Sequence, residues 1–247
     1  MMTLKDKVVV ITGSSSGIGQ ATAIRFAEEG AKLVINYHVN KGGGEETLAK
    51  VKQLSSDSIL VQADVSKPED VERLFKTVID QFGVVDVLIN NAAIGTDKVP
   101  FMDAKYDDIK DMVDADLTSV LMCSQHAARI MEKQGHGKIL NTSSIRGWEH
   151  GGRAPVYAAA KAAVNSFTRT FAKQVAPKIH VNAVAPGFVK TRSYDNMSDE
   201  QIQGFLDQTY LKRWVTREEI ADAFVFLAKN DAMTGQVIYV DAGFTLK

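Results

Sequence analysis

The stretch Lys7-Val-Val-Val-Ile-Thr-Gly-Ser-Ser-Ser-Gly-Ile-Gly19 joins a short apolar run to a loop of glycines and serines, and a helical pattern over Ile18–Glu29 follows. Glycines permit a tight turn and let the backbone approach a pyrophosphate, which also meets the positive end of the helix. The spacing is not Gly-x-Gly-x-x-Gly, and such a turn can be an ordinary loop, but the strand–loop–helix context favours nucleotide binding. The residues expected to contact a nucleotide here are Gly13, Ser15, Ser16, Gly17, Ile18 and Gly19.

Short apolar runs alternate with helical patterns along all 247 residues. The predicted strands are Lys7–Ile11, Lys32–Tyr37, Ile59–Ala63, Val85–Asn90, Lys138–Thr142, His180–Ala183 and Val237–Val240. The predicted helices are Ile18–Glu29, Glu45–Leu54, Pro68–Phe82, Tyr106–Lys133, Val156–Val175 and Glu218–Lys229, with Asp103 and Ser198 as candidate helix caps. Most of the strands are continuously apolar, which is typical of a sheet covered on both faces. The pattern predicts an α/β fold with a doubly wound parallel sheet, in one domain spanning residues 1–247.

The composition excludes several classes of function. A net charge of −1 gives no long-range attraction to nucleic acid or to an anionic membrane. The sequence has no apolar run of transmembrane length and no signal-peptide pattern. The single cysteine, Cys123, excludes an internal disulfide framework, and its apolar helical surroundings predict a buried structural thiol. A single cysteine also fits a reducing compartment, so we expect a cytoplasmic protein. No grouping of His, Cys, Asp or Glu has metal-ligand spacing, so no metal site is expected.

The second predicted strand ends in Ile35-Asn-Tyr-His-Val-Asn-Lys41. An acidic residue at this point would bind both ribose hydroxyls and repel a 2′-phosphate, and none is present. His38 and Lys41 could instead accept that phosphate, so NADP(H) is favoured over NAD(H), with Tyr37 and Asn40 as further cofactor contacts. The alternative is a solvated turn with incidental basic residues, since a neutral histidine is a weak phosphate ligand.

The next two strand ends also carry candidate cofactor contacts. The third strand ends in Ala63-Asp64-Val65, where a carboxylate can accept a hydrogen bond from an adenine amino group or, alternatively, cap a turn. The fourth ends in Asn90-Asn91-Ala92-Ala93, where small residues leave room for a flat ligand and the amides can tie neighbouring strand ends together. An ordinary turn explains this second motif equally well.

A different chemistry is indicated around Ser144 and the helix that begins after Pro155. Tyr157 and Lys161 are four residues apart on this helix, so their side chains share one face. A strand end that holds Ser144 beside that face would group a hydroxyl, a phenol and an ammonium. A close ammonium favours the phenolate and makes the phenol proton transferable, as the reduction of a carbonyl or the oxidation of an alcohol requires. On its own, the pair could equally be a packed tyrosine with a solvated lysine.

Taken together, these residues resemble the short-chain dehydrogenase/reductase family. The matching pieces follow in order over almost the whole chain: Thr12-Gly-x3-Gly17-x-Gly19, Asp64-Val65, Asn90-Asn-Ala92, Ser144, Tyr157-x3-Lys161, Asn182-Ala-Val-Ala-Pro-Gly187 with Thr191, and Thr234–Gly243. Each motif is modest, but the ordered set is specific. The resemblance implies a Rossmann-type fold with seven parallel strands that binds a nicotinamide dinucleotide.

The resemblance also implies roles for individual residues. Tyr157 would be the general acid/base, Ser144 would hydrogen-bond the substrate oxygen, and Lys161 would hold the nicotinamide ribose. The residues that would wall the nicotinamide and its carboxamide are Pro186, Gly187 and Val189 to Thr191, and Asn91, Ala92 and Ala93 would be further cofactor contacts.

Three departures from the family pattern stand out. Asp116 occupies the position of a usual catalytic asparagine, although its backbone carbonyl could still hold a water that leads to Lys161. Ala93 replaces a usual glycine, and no arginine or lysine precedes Gly17, so one customary contact to the NADP phosphate is missing.

Within the family, the chain is most similar to 3-oxoacyl-acyl-carrier-protein reductases and to sugar dehydrogenases of the glucose type. The substrate is therefore expected to be a small carbonyl or alcohol compound, with an acyl thioester as one candidate and a polyol as the alternative. An acyl-carrier partner needs a basic docking surface, for which Lys173 and Lys178 are candidates.

A substrate lid is expected at about 192–215, and Arg146, Trp148, His150 and Arg153 precede Tyr157 in a loop that could face the pocket.

Two further expectations follow from the resemblance. A non-catalytic, dinucleotide-sensing member of the family would be expected to lack Ser144, Tyr157 or Lys161, and all three are present. By analogy, the protein is expected to form a homotetramer through the helices Tyr106–Lys133 and Val156–Val175.

Overall fold

The computed structural model describes residues 2–54, 57–95, 97, 99–148, 154–190 and 197–246. Within these ranges, seven strands form one sheet in the order β3-β2-β1-β4-β5-β6-β7, and every neighbouring pair is parallel. The strands are β1 Val8–Ile11, β2 Lys32–Tyr37, β3 Ile59–Gln62, β4 Val87–Asn90, β5 Gly137–Thr142, β6 Ile179–Pro186 and β7 Val237–Val240. The prediction of a seven-stranded parallel sheet is confirmed.

Helices cover both faces of the sheet. They are α1 Gly17–Glu28, α2 Lys41–Lys52, α3 Pro68–Phe82, α4 Tyr106–Val113, α5 Ser119–Gln134, α6 Pro155–Val175, α7 Asp199–Leu206 and α8 Arg217–Lys229. Side chains alternate between two cores along each central strand: in β1, Val9 and Ile11 pack toward α1 and α8, whereas Val8 and Val10 pack toward α3 and α5. Because both faces of the sheet are buried, its central strands are mostly apolar, as the sequence indicates.

The long helix predicted over Tyr106–Lys133 is interrupted in the structure. A π-helical turn, Asp114–Thr118, separates α4 from α5 and contains the fully buried Asp116. Single π turns of this kind occur frequently at functional sites. One extra residue per turn does not disturb the apolar periodicity enough to be recognised from the sequence, so the prediction of one continuous helix was wrong.

Several helix ends also differ from the prediction. Helix α2 begins at Lys41 instead of Glu45, because the Asn40 side chain accepts a hydrogen bond from Gly43 N at 3.1 Å and caps the helix there. Ser198 caps α7 as expected, although α7 itself was not predicted. Asp103 does not cap α4: it lies in a short 3-10 turn, and the N–H of Lys105 donates to Asp108 instead.

The sheet order reverses between β1 and β4, which lie side by side although their chain connections lead in opposite directions. In doubly wound folds, ligands bind outside the carboxyl ends of the strands at such a point. The glycine–serine loop after β1 and the Asn-Asn-Ala-Ala segment after β4 therefore meet at the expected crevice. Among the described residues, no helix is both long enough and apolar enough to cross a bilayer.

Cys123 lies on the inner face of α5 and is fully buried, as predicted. Burial raises the pKa of its thiol to about 12, because the thiolate would be poorly solvated in the core. The thiol therefore stays protonated at neutral and mildly alkaline pH.

We expect the native protein to resist thiol-specific reagents such as 5,5′-dithiobis(2-nitrobenzoate) at mildly alkaline pH, because only the thiolate reacts. In concentrated guanidinium chloride, one thiol per chain should react rapidly. Absorbance at 412 nm measures both reactions, and Cys123→Ser serves as the unreactive control. Rapid labelling of the folded protein would contradict the buried environment described for Cys123.

Candidate active site

Two adjoining clefts open at the carboxyl edge of the sheet. One, of about 400 Å³, lies over the ends of β1, β2 and β3, and the other, of about 520 Å³, lies beside β5 and α6. Ile18, Asn91 and Ala93 line both clefts and mark their junction. An elongated ligand could therefore run from one cleft into the other.

The glycine–serine loop that lines the first cleft requires its glycines. Gly13 has a φ of +63°, and a Cβ at this position would lie 2.8 Å from Ala92 Cα. A Cβ on Gly19 would lie 2.4 Å from the carbonyl oxygen of Gly13. Ser16, the N-cap residue of α1, makes no capping hydrogen bond with its side chain, so this side chain does not satisfy the first N–H groups of α1.

Side-chain amides fix this loop against the neighbouring strand ends. Asn36 Oδ1 accepts a hydrogen bond from Gly13 N at 3.0 Å, and Asn91 Nδ2 donates to the carbonyls of Thr12 and Gly13, both at 3.1 Å. Thr12 Oγ1 accepts from the N–H groups of Asn91 and Ala92 at 2.9 and 3.0 Å. The loops after β1 and β4 and the end of β2 are thus joined by hydrogen bonds, as the sequence suggests for the Asn-Asn motif.

Asp64 serves the turn after β3 and also borders the first cleft. Its Oδ1 accepts from the N–H and the hydroxyl of Ser66 at 3.0 and 2.7 Å, the turn-capping arrangement left open by the sequence. Its Oδ2 lies 3.7 Å from His38 Nε2. The other predicted cofactor contacts that line this cleft are Gly13, Ser15, Ser16, Ile18, His38, Asn40, Val65, Asn91, Ala92 and Ala93.

Some of the predicted cofactor contacts lie elsewhere. Tyr37 is buried, and its ring packs beside Gly44 of α2 instead of lining the cleft. Lys41 is the first residue of α2, and its exposed ammonium lies 3.5 Å from the carboxylate of Glu45. Gly17 and Gly19 shape the loop but do not line either cleft. Thr191 lies outside the described residues, as do His150, Arg153 and the part of the expected lid from 192 to 196.

The second cleft brings Ser144, Tyr157 and Lys161 together, as predicted. Lys161 is only 2% exposed, and its Nζ donates to the carbonyl of Thr142 at 3.2 Å and lies 5.5 Å from the centre of the Tyr157 ring. Ser144 follows the end of β5, and its Oγ accepts from the N–H of Arg146 at 3.2 Å. A hydroxyl, a phenol and an ammonium therefore surround one cavity.

Asp116 lies beneath this group and compensates its buried charge. Its Oδ1 lies 3.2 Å from Lys161 Nζ, an ion-pair distance without well-directed hydrogen-bond geometry. Its Oδ2 accepts from the N–H of Ile94, in the segment after β4, at 3.2 Å. The carboxylate side chain of Asp116, and not only its backbone carbonyl, is thus close to the lysine.

The remaining lining is apolar at the outer end. Pro186, Gly187 and Val189 line the second cleft as predicted, and Met197 and Phe205 do so from the region of the expected lid. Phe188 packs against Phe205 with ring centres 4.9 Å apart, a contact that no motif or periodicity indicates. Trp148 is 60% exposed and lies against Tyr239 outside the cleft.

The structure overturns one predicted surface. Lys178 immediately precedes β6, at the amino edge of the sheet, and forms an ion pair with Glu132. Lys173 lies sixteen residues after Tyr157 on α6, about 24 Å along the helix axis at 1.5 Å per residue. Neither lysine can form a docking surface at the mouth of the candidate site.

Comparison with known proteins agrees with this geometry. A sequence model of the family described as enoyl-(acyl carrier protein) reductase matches residues 13–245. A 3-oxoacyl-[acyl-carrier-protein] reductase of Synechocystis is 37% identical over 250 residues, which cover 100% of both chains. The enzyme of that name from Staphylococcus epidermidis is 37% identical over 241 residues, covering 96% of this chain and 98% of that protein.

Solved structures give the same result. Acetoin dehydrogenase from Enterobacter cloacae is 35% identical and superimposes with a TM-score of 0.88, covering 99% of this chain and 96% of that one. An NADH-dependent reductase responsible for alginate metabolism is 31% identical, with a TM-score of 0.87 and 98% of each chain covered. The chain therefore belongs to the short-chain dehydrogenase/reductase family, and it is a nicotinamide-dinucleotide-dependent oxidoreductase that acts on CH–OH and C=O groups.

Proposed function

We propose that the protein reduces the ketone of a 3-oxoacyl thioester to a secondary alcohol with NADPH, and that the thioester is carried by an acyl carrier protein. The observation that carries the proposal is the grouping of Ser144, Tyr157 and buried Lys161 around a cleft that continues into the glycine-loop cleft. The names of relatives that match over the full chain support the choice of substrate.

The residues present fit a nicotinamide dinucleotide. The uncapped first turn of α1 suits a pyrophosphate, and Gly13 lets the loop before it pack directly against Ala92, where a Cβ would clash. Near Lys161, Thr142 Oγ1 is buried without a hydrogen-bond partner among the described residues, so it is available to a polar ligand. Asp64 and Val65 would hold the adenine end, and Pro186, Gly187 and Val189 the nicotinamide end. When bound, this cofactor supplies the hydride.

Ser144, Tyr157 and Lys161 have separate roles in the transfer of a proton to the substrate. Ser144 Oγ accepts from the Arg146 N–H, which leaves its own proton to be donated to the substrate carbonyl oxygen. Tyr157 gives its phenolic proton to the same oxygen as that oxygen gains negative charge. The ammonium of Lys161 stabilises the phenolate that remains, and Asp116 holds the ammonium in place. The reverse sequence oxidises the alcohol.

The preference for NADPH rests on the end of β2. The residues from Tyr37 to Asn40 include no carboxylate that would bind the ribose hydroxyls and repel a 2′-phosphate. His38 and Asn40 line the cleft, and α2 begins directly after them with the positive end of its dipole. One solved relative is NADH-dependent, so the preference needs a direct measurement.

A glucose-type sugar dehydrogenase is the second candidate for this site. The outer lining by Phe188, Met197 and Phe205 favours an acyl chain, because a polyol would leave hydroxyl groups facing apolar walls. A non-catalytic role is disfavoured by the intact grouping of Ser144, Tyr157 and Lys161. We propose that α7 and the segment before α8 act as the substrate lid.

The homotetramer and the cytoplasmic location stay predictions. Leu121 of α5 is 38% exposed, and Phe167 and Phe171 of α6 stack with ring centres 5.0 Å apart on a half-buried face. Such apolar surface on the two long helices is compatible with an interface between copies.

Tyr157→Phe removes the transferable proton and keeps the ring. We expect kcat for the reduction of an acetoacetyl thioester by NADPH to fall by about 10²–10⁴, the usual contribution of a general acid. Binding of NADPH, followed by fluorescence titration, should change little. Tyr106→Phe, at a 76% exposed tyrosine, is the matched control. Full activity of Tyr157→Phe would refute the assignment, and activity on glucose but not on the thioester would favour the sugar dehydrogenase.

His38→Asp adds a carboxylate at the end of β2. We expect the ratio of kcat/KM for NADPH to that for NADH to exceed one in the wild-type protein. In the variant this ratio should fall by about tenfold or more, because the new carboxylate repels the 2′-phosphate of NADPH. A close pair of like charges costs on the order of 1 kcal/mol or above near a protein surface. NADH kinetics of the same variant serve as the internal control. A wild-type preference for NADH would show the cofactor proposal to be wrong.

Asp116→Asn keeps one oxygen, which can accept from Lys161 or from the Ile94 N–H. We expect kcat to stay within about tenfold of wild type, below the usual contribution of an acid/base group. Asp116→Leu should destabilise the fold by about 3–5 kcal/mol, because it leaves the buried ammonium without its counter-charge. Steady-state kinetics and urea unfolding measure the two effects. Complete inactivity of folded Asp116→Asn would indicate a direct part in proton transfer.

A further inference from the structure

The first turn of α6 carries Tyr157 but has no cap of its own. Its N-cap residue, Ala154, has a left-handed φ of 54° and a side chain that cannot accept a hydrogen bond. Pro155, the first helical residue, has no N–H group. The next N–H groups would be left without partners at the start of an ordinary helix. In a helix that carries a reactive side chain in its first turn, fraying would displace that side chain.

Asp97 satisfies both of these N–H groups from a distant part of the chain. Its Oδ2 accepts from Val156 N at 3.2 Å and its Oδ1 from Tyr157 N at 3.0 Å, across 59 and 60 residues of sequence. The following N–H, of Ala158, donates to the carbonyl of Ala154 at 2.9 Å. A carboxylate that accepts two N–H groups at the positive end of a helix is a strong, charge-assisted cap.

The segment that carries Asp97 is also tied to the charged pair below the cleft. Ile94, three residues earlier, donates its N–H to Asp116, and Asp116 in turn lies 3.2 Å from the ammonium of Lys161. Residues 94 and 97 therefore connect the end of β4 to α6 at two points, one through Lys161 and one at Tyr157. Asp97 itself lines the cleft that holds Ser144 and Tyr157.

We propose that Asp97 is a positioning residue for Tyr157: by capping α6 from the segment after β4, its carboxylate fixes the phenol relative to Ser144 and Lys161. The inference rests on the proposed catalytic role of Tyr157. Lys161 lies one turn further along α6 and is held separately by Asp116 and Thr142. Loss of Asp97 therefore acts on the position of Tyr157 and leaves the ammonium in place.

The test compares Asp97→Ala, which can accept no hydrogen bond, with Asp97→Asn, which can still accept one N–H through its oxygen. Asp103→Ala is the matched control, because Asp103 is exposed and none of the described contacts of its side chain reaches α6. For Asp97→Ala we expect kcat to fall by about 10–100-fold, the cost of a displacement on the order of 1 Å. The KM for NADPH should stay within about twofold, and Asp97→Asn should recover most of the activity, since one cap bond remains.

Two further measurements separate positioning from general stability. Hydrogen exchange of peptides that contain residues 154–160 should be faster in Asp97→Ala than in the control, with no substrate or cofactor present. In a Tyr157→Phe background, Asp97→Ala should cause no further loss of kcat, because the group that it positions is already gone. All activities are compared at a temperature at which circular dichroism shows each variant to be folded.

Equal activity of Asp97→Ala and Asp103→Ala would overturn the proposal. So would a loss of activity that only follows the folded fraction, or an additional tenfold loss in the Tyr157→Phe background. If the wild-type protein reduces no carbonyl compound, the proposed function fails instead. Unchanged hydrogen exchange at residues 154–160 would remove the capping role independently of any activity.

Discussion

A buried ammonium is the constraint on which the candidate site depends. Lys161 lies on the inner face of α6 with 2% of its surface exposed, where an isolated charge would be prohibitively costly. The carboxylate of Asp116 and the carbonyl of Thr142 make this placement tolerable. A buried pair of this kind contributes little net stability compared with apolar residues, but removal of either partner leaves an uncompensated charge. The pair therefore fixes one arrangement of α6, β5 and the π-helical turn.

The same pair explains why the helix between β4 and β5 is irregular. The π-helical turn at Asp114–Thr118 faces α6 and sets the Asp116 side chain between Lys161 and the N–H of Ile94. An asparagine at this position would offer one oxygen and one amide donor, whereas the aspartate offers two acceptors and a charge. Both acceptors of Asp116 face donors, which makes the aspartate chemically consistent with its surroundings.

Buried amides connect this charged centre to the rest of the sheet. Asn90 Nδ2 donates to Asn141 Oδ1 and to Ser124 Oγ, and Asn141 Nδ2 donates to Thr168 of α6, each at 2.9 Å. Because unsatisfied polar groups are costly in a core, such networks permit few alternative arrangements. The carboxyl ends of β4 and β5 and the middle of α6 are thereby held in register, and the clefts form along this rigid edge.

The sequence was sufficient to predict the parallel α/β sheet, since seven apolar runs alternate with helical patterns and glycines appear where a loop must approach another backbone. It also grouped Ser144, Tyr157 and Lys161, because the helical spacing puts the last two on one face and a strand end precedes them. The surroundings of these residues become apparent only in the folded protein. Asp97 and Ile94 contact α6 and Asp116 across tens of residues, and the burial of Tyr37 and the ion pair of Lys41 with Glu45 depend on where α2 begins. Periodicity and motifs report local conformation, whereas these contacts arise from the packing of elements that are distant in the chain.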